Sequence, residues 1–340
     1  MKIAVLCGGY SHERDVSLST GTGAAHALRL RGHQVALVDV FLGVDTPIEN
    51  IDGLFTAEDK DSRLSVSERE PNLNELRALR PGKRLIGPGV LEICEHADIA
   101  FLALHGGNGE NGQLQATLDM YGIPYTGSGY VGSALAMDKE LTKSLLLQSG
   151  ITTAKSRIFR KGEKVDFPLP CVVKPCSGGS SVGTTIVQEE KELDAALAAA
   201  FACEERVLVE QYIKGRELTV GVLGGRAMPA IEIIPKSGFY DYVNKYQAGF
   251  TTELCPAPLT EQETDKLRRA AEAVFKALHL QVYARADFIM DEKGDFYCLE
   301  ANTLPGMTPT SLIPQMAAAE GMDYGELCEE IIRLSKEKYE

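Results

Sequence analysis

Along the first hundred residues, short apolar runs alternate with glycine-marked turns and one helix-like stretch. Residues 3–6 form an apolar run, Gly8-Gly9 break it, a helix-like stretch reaches Leu30, and Gly32 precedes a second apolar run at 35–40. This order predicts an open parallel α/β sheet. Residues from about 52 to 83 are polar and charged, with Ser, Pro and Asn. They predict a long surface excursion with at most a short helix near 74–79 and no chemistry. Residues 99–104 read as a buried strand ending in the loop 105–112, followed by a helix through Met120.

Near residues 122–129 the texture changes to a short strand at 123–126, a Gly-rich turn, and a helix over 133–148 stopped by Gly150. Strand signals at 152–159 and 171–174, the Gly/Ser loop 177–183, a strand at 184–187 and an alanine-rich helix at 191–202 predict a small α+β unit. A third region starts with strands at 207–212, 217–223 and 228–235. It continues through a Tyr-rich loop to a helix whose Thr260 and Glu263 form a capping box. A hairpin of 286–290 and 296–299 then leads into 300–306. The expected domains are 1–125, 126–208 and 209–340.

Composition narrows the function classes. A chain of 340 residues with 44% hydrophobic residues can bury more than one core, which favours two or three domains. The formal charge of −13 opposes nucleic acid or an anionic membrane as a partner, so an anionic substrate needs a local basic pocket. No stretch is long and apolar enough to span a bilayer, and the N-terminus matches a first strand better than a signal peptide. A cytoplasmic protein is expected. The eight cysteines never form C-x-x-C or a Cys/His cluster, so buried reduced thiols are expected.

Four constellations carry candidate chemistry. Asp287, Glu300 and Asn302 leave the ends of two hairpin-paired strands, where hard oxygen ligands suit magnesium with nucleotide phosphates completing its shell. Acids at strand ends can also be plain solvated turn residues, the reading taken for Asp291 and Asp295. Arg285, two residues before Asp287 on an alternating strand, shares its face; it fits either oxyanion stabilisation or a structural pair with Asp287. Lys174 precedes the loop 177–183, which contains Ser180 and Ser181; with Lys139 upstream it suits phosphate oxygens, although such a loop also serves as a flexible hairpin. Glu210 and Glu217 suit ribose hydroxyls or a solvated surface. The stretch 239–247 is either a closing loop or a hairpin of packed tyrosines. Glu13, after the Gly8-Gly9 turn, is compatible with holding a substrate ammonium or with a first-turn helix acid. His105 and Glu110 suit either orienting groups at the loop after the third strand or stabilising it.

With these residues in view, the chain resembles the D-alanine–D-alanine ligases over essentially its whole length. The resemblance rests on Ser11-His12-Glu13-Arg14-Asp15-Val16-Ser17, His105-Gly106-Gly107 with Gly109-Glu110, Met137-Asp138-Lys139, Val173-Lys174-Pro175 with Gly179-Ser180-Ser181-Val182-Gly183, Tyr240-Asp241-Tyr242, Lys245-Tyr246, and Glu300-Ala301-Asn302-Thr303 with Pro305-Gly306-Met307-Thr308. It implies a three-domain ATP-grasp fold, α/β and α+β, with an N-terminal open parallel-sheet domain and nucleotide between the central and C-terminal domains.

By this resemblance Glu13 holds the first D-alanine's ammonium group in a relay with Ser180 and Tyr246, and His105 belongs to the substrate-binding set. Arg285 and the Gly306 N–H stabilise a tetrahedral oxyanion, and Ser311 and Leu312 receive the second substrate's carboxylate. Lys139, Lys174, Ser181 and Lys245 contact ATP phosphates, Glu210 and Glu217 the adenosine. Asp287, Glu300 and Asn302 hold two Mg2+ ions, with Mn2+ able to substitute. The implied reaction joins two D-alanines through an acyl phosphate for peptidoglycan precursor synthesis, in a homodimer. The alternatives are a sister ligase adding D-serine or D-lactate, the D-lactate form being disfavoured by Tyr246, and a catalytically silent ATP-binding regulator. Asn111 and Ser177 depart from the family's usual residues.

Overall fold

The computed structural model describes residues 1–58, 71–179, 181–236, 251–308 and 310–340. Three sheets organise these residues. The first is parallel, with β1 (Lys2–Cys7) between β2 (Gln34–Asp39) and β3 (Ile99–Leu102). Residues 3–6 of β1 are fully buried, as a strand covered on both faces requires. Helix α1 (Arg14–Leu30) packs on this sheet, and a side chain at Gly21 would collide with Cys7, so glycine permits the close approach. In the polar excursion, α2 (Leu73–Leu79) is the expected short helix, with Asn72 accepting from the N–H groups of Asn74 and Glu75. Helix α3 (Val90–Glu95) precedes β3.

After β3 come α4 (Gly107–Glu110) and α5 (Gln113–Met120). The strand expected at 123–126 is reduced to a single parallel bridge between Ala100 and Tyr125. The helix expected at 133–148 is two helices, α6 (Tyr130–Met137) and α7 (Lys139–Gln148). Asp138 is the break: its backbone is extended and its carboxylate caps α7 by accepting from Glu140 and Leu141 N–H groups at 3.0 and 3.1 Å.

The second sheet is antiparallel: β4 (Ser156–Arg160), β7 (Arg206–Gln211), β5 (Cys171–Pro175) and β6 (Thr185–Val187), in that order. Helix α8 (Glu190–Cys203) buries Ala196 and Ala200 against Phe159, Val173, Val207 and Val209. The boundary expected between 208 and 209 falls inside β7, whose pairing with β5 continues to Gln211.

The third sheet runs β11 (Thr251–Leu254), β10 (Ile231–Pro235), β8 (Gly215–Leu223), β12 (Tyr283–Asp291) and β13 (Phe296–Asn302), with β9 (Arg226–Ala227) paired to β8. Helix α9 (Glu261–Ala277) covers it, opened by the expected Thr260/Glu263 capping box. Helices α10 (Leu312–Ala319) and α11 (Tyr324–Lys336) end the chain. Leu327, Cys328, Ile331 and Ile332 of α11 return to the core of the first sheet. All eight cysteines are free thiols; six are buried, Cys255 is half-buried and Cys203 is exposed. Among the described residues no helix is long and apolar enough to cross a membrane.

Candidate active site

The antiparallel register of β12 and β13 sets Arg285 opposite Asn302 and Asp287 opposite Glu300. Arg285 Nε and an Arg285 terminal nitrogen each donate to Asp287 at 2.9 Å, Asn302 Nδ2 donates to the same carboxylate at 3.0 Å, and Thr219 Oγ1 from β8 at 2.6 Å. The structural pair with Asp287 is therefore present. Arg285 also lines a cavity of about 140 Å3 with Glu13, Gly306, Ser311 and Leu312.

Glu13 is the residue before α1, yet its carboxylate does not cap that helix. Glu13 lines the same cavity as Arg285. The loop after β3 is built around it. Gly106 has φ of +65°, and a side chain there would run into the Glu13 carboxylate and Ser11 Oγ. Gly106 N–H donates to Glu110 at 2.8 Å, and Leu304 N–H donates to the other Glu110 oxygen at 3.2 Å. Burial first, and then the Glu13 charge, push the Glu110 carboxyl up to about 7.

His105 lines the same cavity as Glu13 and Arg285. Its Nδ1 lies 2.9 Å from the Leu304 carbonyl, which can only accept, and its Nε2 lies 2.8 Å from Thr20 Oγ1. Nδ1 therefore carries a proton, and burial lowers the ring's pKa despite the opposing Glu13 charge. Through these two contacts His105 ties α1 to the Leu304 backbone at the cavity wall. At the far end, Ser311 precedes α10 and accepts from Thr308 N–H at 3.0 Å. Leu312 then presents a first-turn N–H suited to an anionic group. A side chain on Gly306 would press on Ser311 Oγ at 2.9 Å.

A second cavity of about 490 Å3 opens between the second and third sheets, lined by Lys174, Ser181, Val182, Glu210, Glu217 and Ile289 among others. Lys139, Gly178, Gly179 and Glu300 line both cavities. Lys139 Nζ donates to the Gly178 carbonyl at 2.8 Å and stands 3.4 Å from Glu300. A side chain on Gly179 would lie 3.5 Å from a Glu13 oxygen, so the loop after β5 reaches the residue at the start of α1.

Glu210 lines the second cavity, and its carboxylate is buried between Lys174 at 2.5 Å and Lys143 at 2.6 Å. Burial pushes its carboxyl up, but the two ammonium groups outweigh that and hold it below the usual range. Ser180, Lys245 and Tyr246, with the stretch 239–247, lie outside the described residues. Sequence reasoning missed Lys143 and Thr219. Lys143 follows Lys139 by one helical turn, a spacing that places both on one face of α7; Thr219 carries no signal without the sheet pairing.

Two antiparallel sheets clasping one cavity, with acids and an amide on paired strands, define the ATP-grasp class. The fold is shared by the D-alanine–D-alanine ligase of Bacillus anthracis: a structure complexed with ATP matches with TM-score 0.76 and 30% identity, and another with 0.78 and 33%, each covering 99% of this chain and 98% of that one. The models "D-ala D-ala ligase N-terminus" and "D-ala D-ala ligase C-terminus" match residues 2–128 and 142–333. A D-alanine–D-alanine ligase of Pediococcus pentosaceus is 43% identical, covering 99% of this chain and 98% of the relative. One from Lacticaseibacillus casei is also 43% identical, covering 98% and 95%. The chain belongs to the D-alanine–D-alanine ligase family.

Proposed function

We propose that this enzyme uses ATP to join two D-alanines into D-alanyl-D-alanine for peptidoglycan precursors. The observation that carries the reading is the junction of the two cavities at Lys139, Gly178, Gly179 and Glu300. The 490 Å3 cavity suits a nucleotide and the 140 Å3 cavity suits small amino acids. At their junction a terminal phosphate and an amino-acid carboxylate can meet.

The donor set fits magnesium. Among the described residues no group of three or more His, Cys, Asp and Glu is placed to hold a metal ion. The protein thus offers two carboxylates, Asp287 and Glu300, and the Asn302 amide, a small oxygen set that leaves room for phosphate oxygens. Bound there, magnesium supplies neutralisation of phosphate charge. Two ions, or manganese in their place, are compatible with oxygen donors.

The chain's own groups account for the remaining work. Glu13 holds the first D-alanine by its ammonium group, turning its carboxylate towards the junction. Lys139 and Lys174 steady the γ-phosphoryl group as the first D-alanine's carboxylate attacks it and the bond to ADP breaks, giving an acyl phosphate. Arg285 and the Gly306 N–H then face the carbonyl oxygen that becomes negative when the second amine attacks; inorganic phosphate leaves as the amide forms and the amine gives up a proton. Ser311 and the Leu312 N–H hold the second carboxylate. Ser180, Lys245 and Tyr246 complete the relay and the phosphate contacts in this reading. The substrates are small molecules of the cytoplasm, and a homodimer is the expected assembly.

The test is phosphate release with ATP, magnesium and D-alanine, with products identified by mass. D-alanyl-D-alanine from D-alanine alone supports the proposal. Mixed products with D-serine or D-lactate formed in preference, or ATP binding without turnover, would overturn it.

A further inference from the structure

Lys143 is assigned no role by the site as built above, yet it is the more deeply placed of the two lysines on Glu210. It is 3% exposed, and its ammonium group donates to Thr153 Oγ1 at 2.7 Å and to the Ala154 carbonyl at 3.1 Å besides pairing with Glu210. Glu210 meanwhile pairs with Lys174, which lines the nucleotide cavity. Lys143 does not line either cavity at the site. One carboxylate thus faces two ammonium groups, of which one can reach a ligand.

The charge balance of this cluster has a consequence for phosphate binding. A lysine paired one-to-one with a buried glutamate is electrically spent: an approaching phosphate sees a neutral pair. Glu300 also acts on Lys174 and is paired with Lys139 at 3.4 Å, so three lysines face two carboxylates. With Lys143 sharing Glu210 the cluster keeps a net positive charge, and that charge is expressed at the lysines lining the cavity, Lys174 among them. We propose that Lys143 is a positioning residue that neutralises Glu210 from behind, leaving Lys174 with a positive charge for the nucleotide's phosphates. The inference rests on the nucleotide reading of that cavity and deepens it.

The cluster is also tied to the metal strand. Thr153 Oγ1 donates to the Cys298 carbonyl at 2.7 Å, and Cys298 lies two residues before Glu300 on β13. Lys143 therefore sits where the second sheet, α7 and the third sheet meet. Buried charges that share partners must be accounted for together, because removing one leaves another uncompensated.

The proposal separates from a merely structural role through charge restoration. Lys143→Met makes the cluster neutral, and Lys143→Met combined with Glu210→Gln restores one net positive charge at Lys174. Dissociation constants for ADP and for adenosine, measured by calorimetry without amino-acid substrate, read the effect directly. ADP is expected to bind roughly tenfold more weakly to Lys143→Met, with adenosine changed little, and the double variant is expected to recover most of the loss. Lys143→Gln, which keeps a donor towards Glu210 without the charge, takes the place of Met should that variant fail to fold. Equal loss for ADP and adenosine, or a double variant no better than Lys143→Met, overturns the proposal. Because these are binding measurements, they stand whichever product the wild-type enzyme makes; wild-type protein that binds no ADP would instead refute the nucleotide reading itself.

Discussion

Arg285 and Asp287 stand two residues apart on β12 and are joined by two parallel hydrogen bonds of 2.9 Å. The fork holds the guanidinium in one plane at the wall of the substrate cavity, and it holds the carboxylate for Asn302 and Thr219 as well. Positioning a cation for developing charge is most effective when its geometry is set before the reaction.

Arg285→Ala is therefore expected to lower kcat by roughly a hundred- to a thousandfold. Arg285→Lys should recover only part of this, because an ammonium cannot make the forked pair with Asp287. Steady-state kinetics of both variants checks the assignment; a wild-type rate in Arg285→Ala would remove Arg285 from the catalytic set.

Asn302 donates to Asp287 in this structure and offers an amide oxygen to a metal. In Asn302→Ala the magnesium concentration giving half-maximal rate should rise about tenfold or more. At saturating magnesium much of the rate should return. An unchanged magnesium dependence, measured by titration at fixed ATP, would remove Asn302 from the ligand set.

The Glu110 carboxyl, pushed up to about 7, links stability to pH. Between the ordinary glutamate range and pH 7 the folded protein keeps a proton that the unfolded chain has released. Stability from this group is thus present at low pH and lost as pH rises through that window, by at most about 3 kcal/mol. Glu13→Gln removes the like charge that helps raise Glu110. Its melting temperature should fall less steeply between pH 5 and about 7.5 than that of the wild type. Parallel curves from calorimetry would count against the coupling.

Gly106→Ala tests the wall around Glu13. The left-handed backbone and the crowding against Glu13 and Ser11 both oppose a side chain. A loss of about 1–3 kcal/mol of stability is expected, together with a raised KM for the first D-alanine. A variant with wild-type KM would show that Gly106 does not set the position of Glu13.

Much of this was legible in the sequence for identifiable reasons. The buried run of β1, the capping box of α9 and the hairpin carrying Asp287 and Glu300 depend on local pattern. Two expected elements came out differently. The helix through residue 138 is broken because Asp138 caps α7 with an extended backbone, a choice also served by Arg206 pairing with Asp138 from β7 at 2.8 Å. The strand expected at 123–126 is a single bridge, since only Tyr125 pairs with β3. Glu13, Arg285, Lys139 and Lys174 could be nominated by residue type and neighbourhood. The commitment of His105 to Thr20 and Leu304, and the sharing of Glu210 by two lysines, could not, because their partners are distant in sequence or on other elements.

The return of α11 to the first sheet bears on how the chain is made. Leu327, Ile331 and Ile332 belong to an apolar cluster that also takes residues from β1, β2, β3 and α1. During synthesis those strands leave the ribosome long before α11 does. The cluster around the first sheet therefore stays incomplete until residues 327–332 have emerged. A truncation that removes only the final helix should consequently expose the oldest part of the chain to proteolysis before the parts nearest the cut.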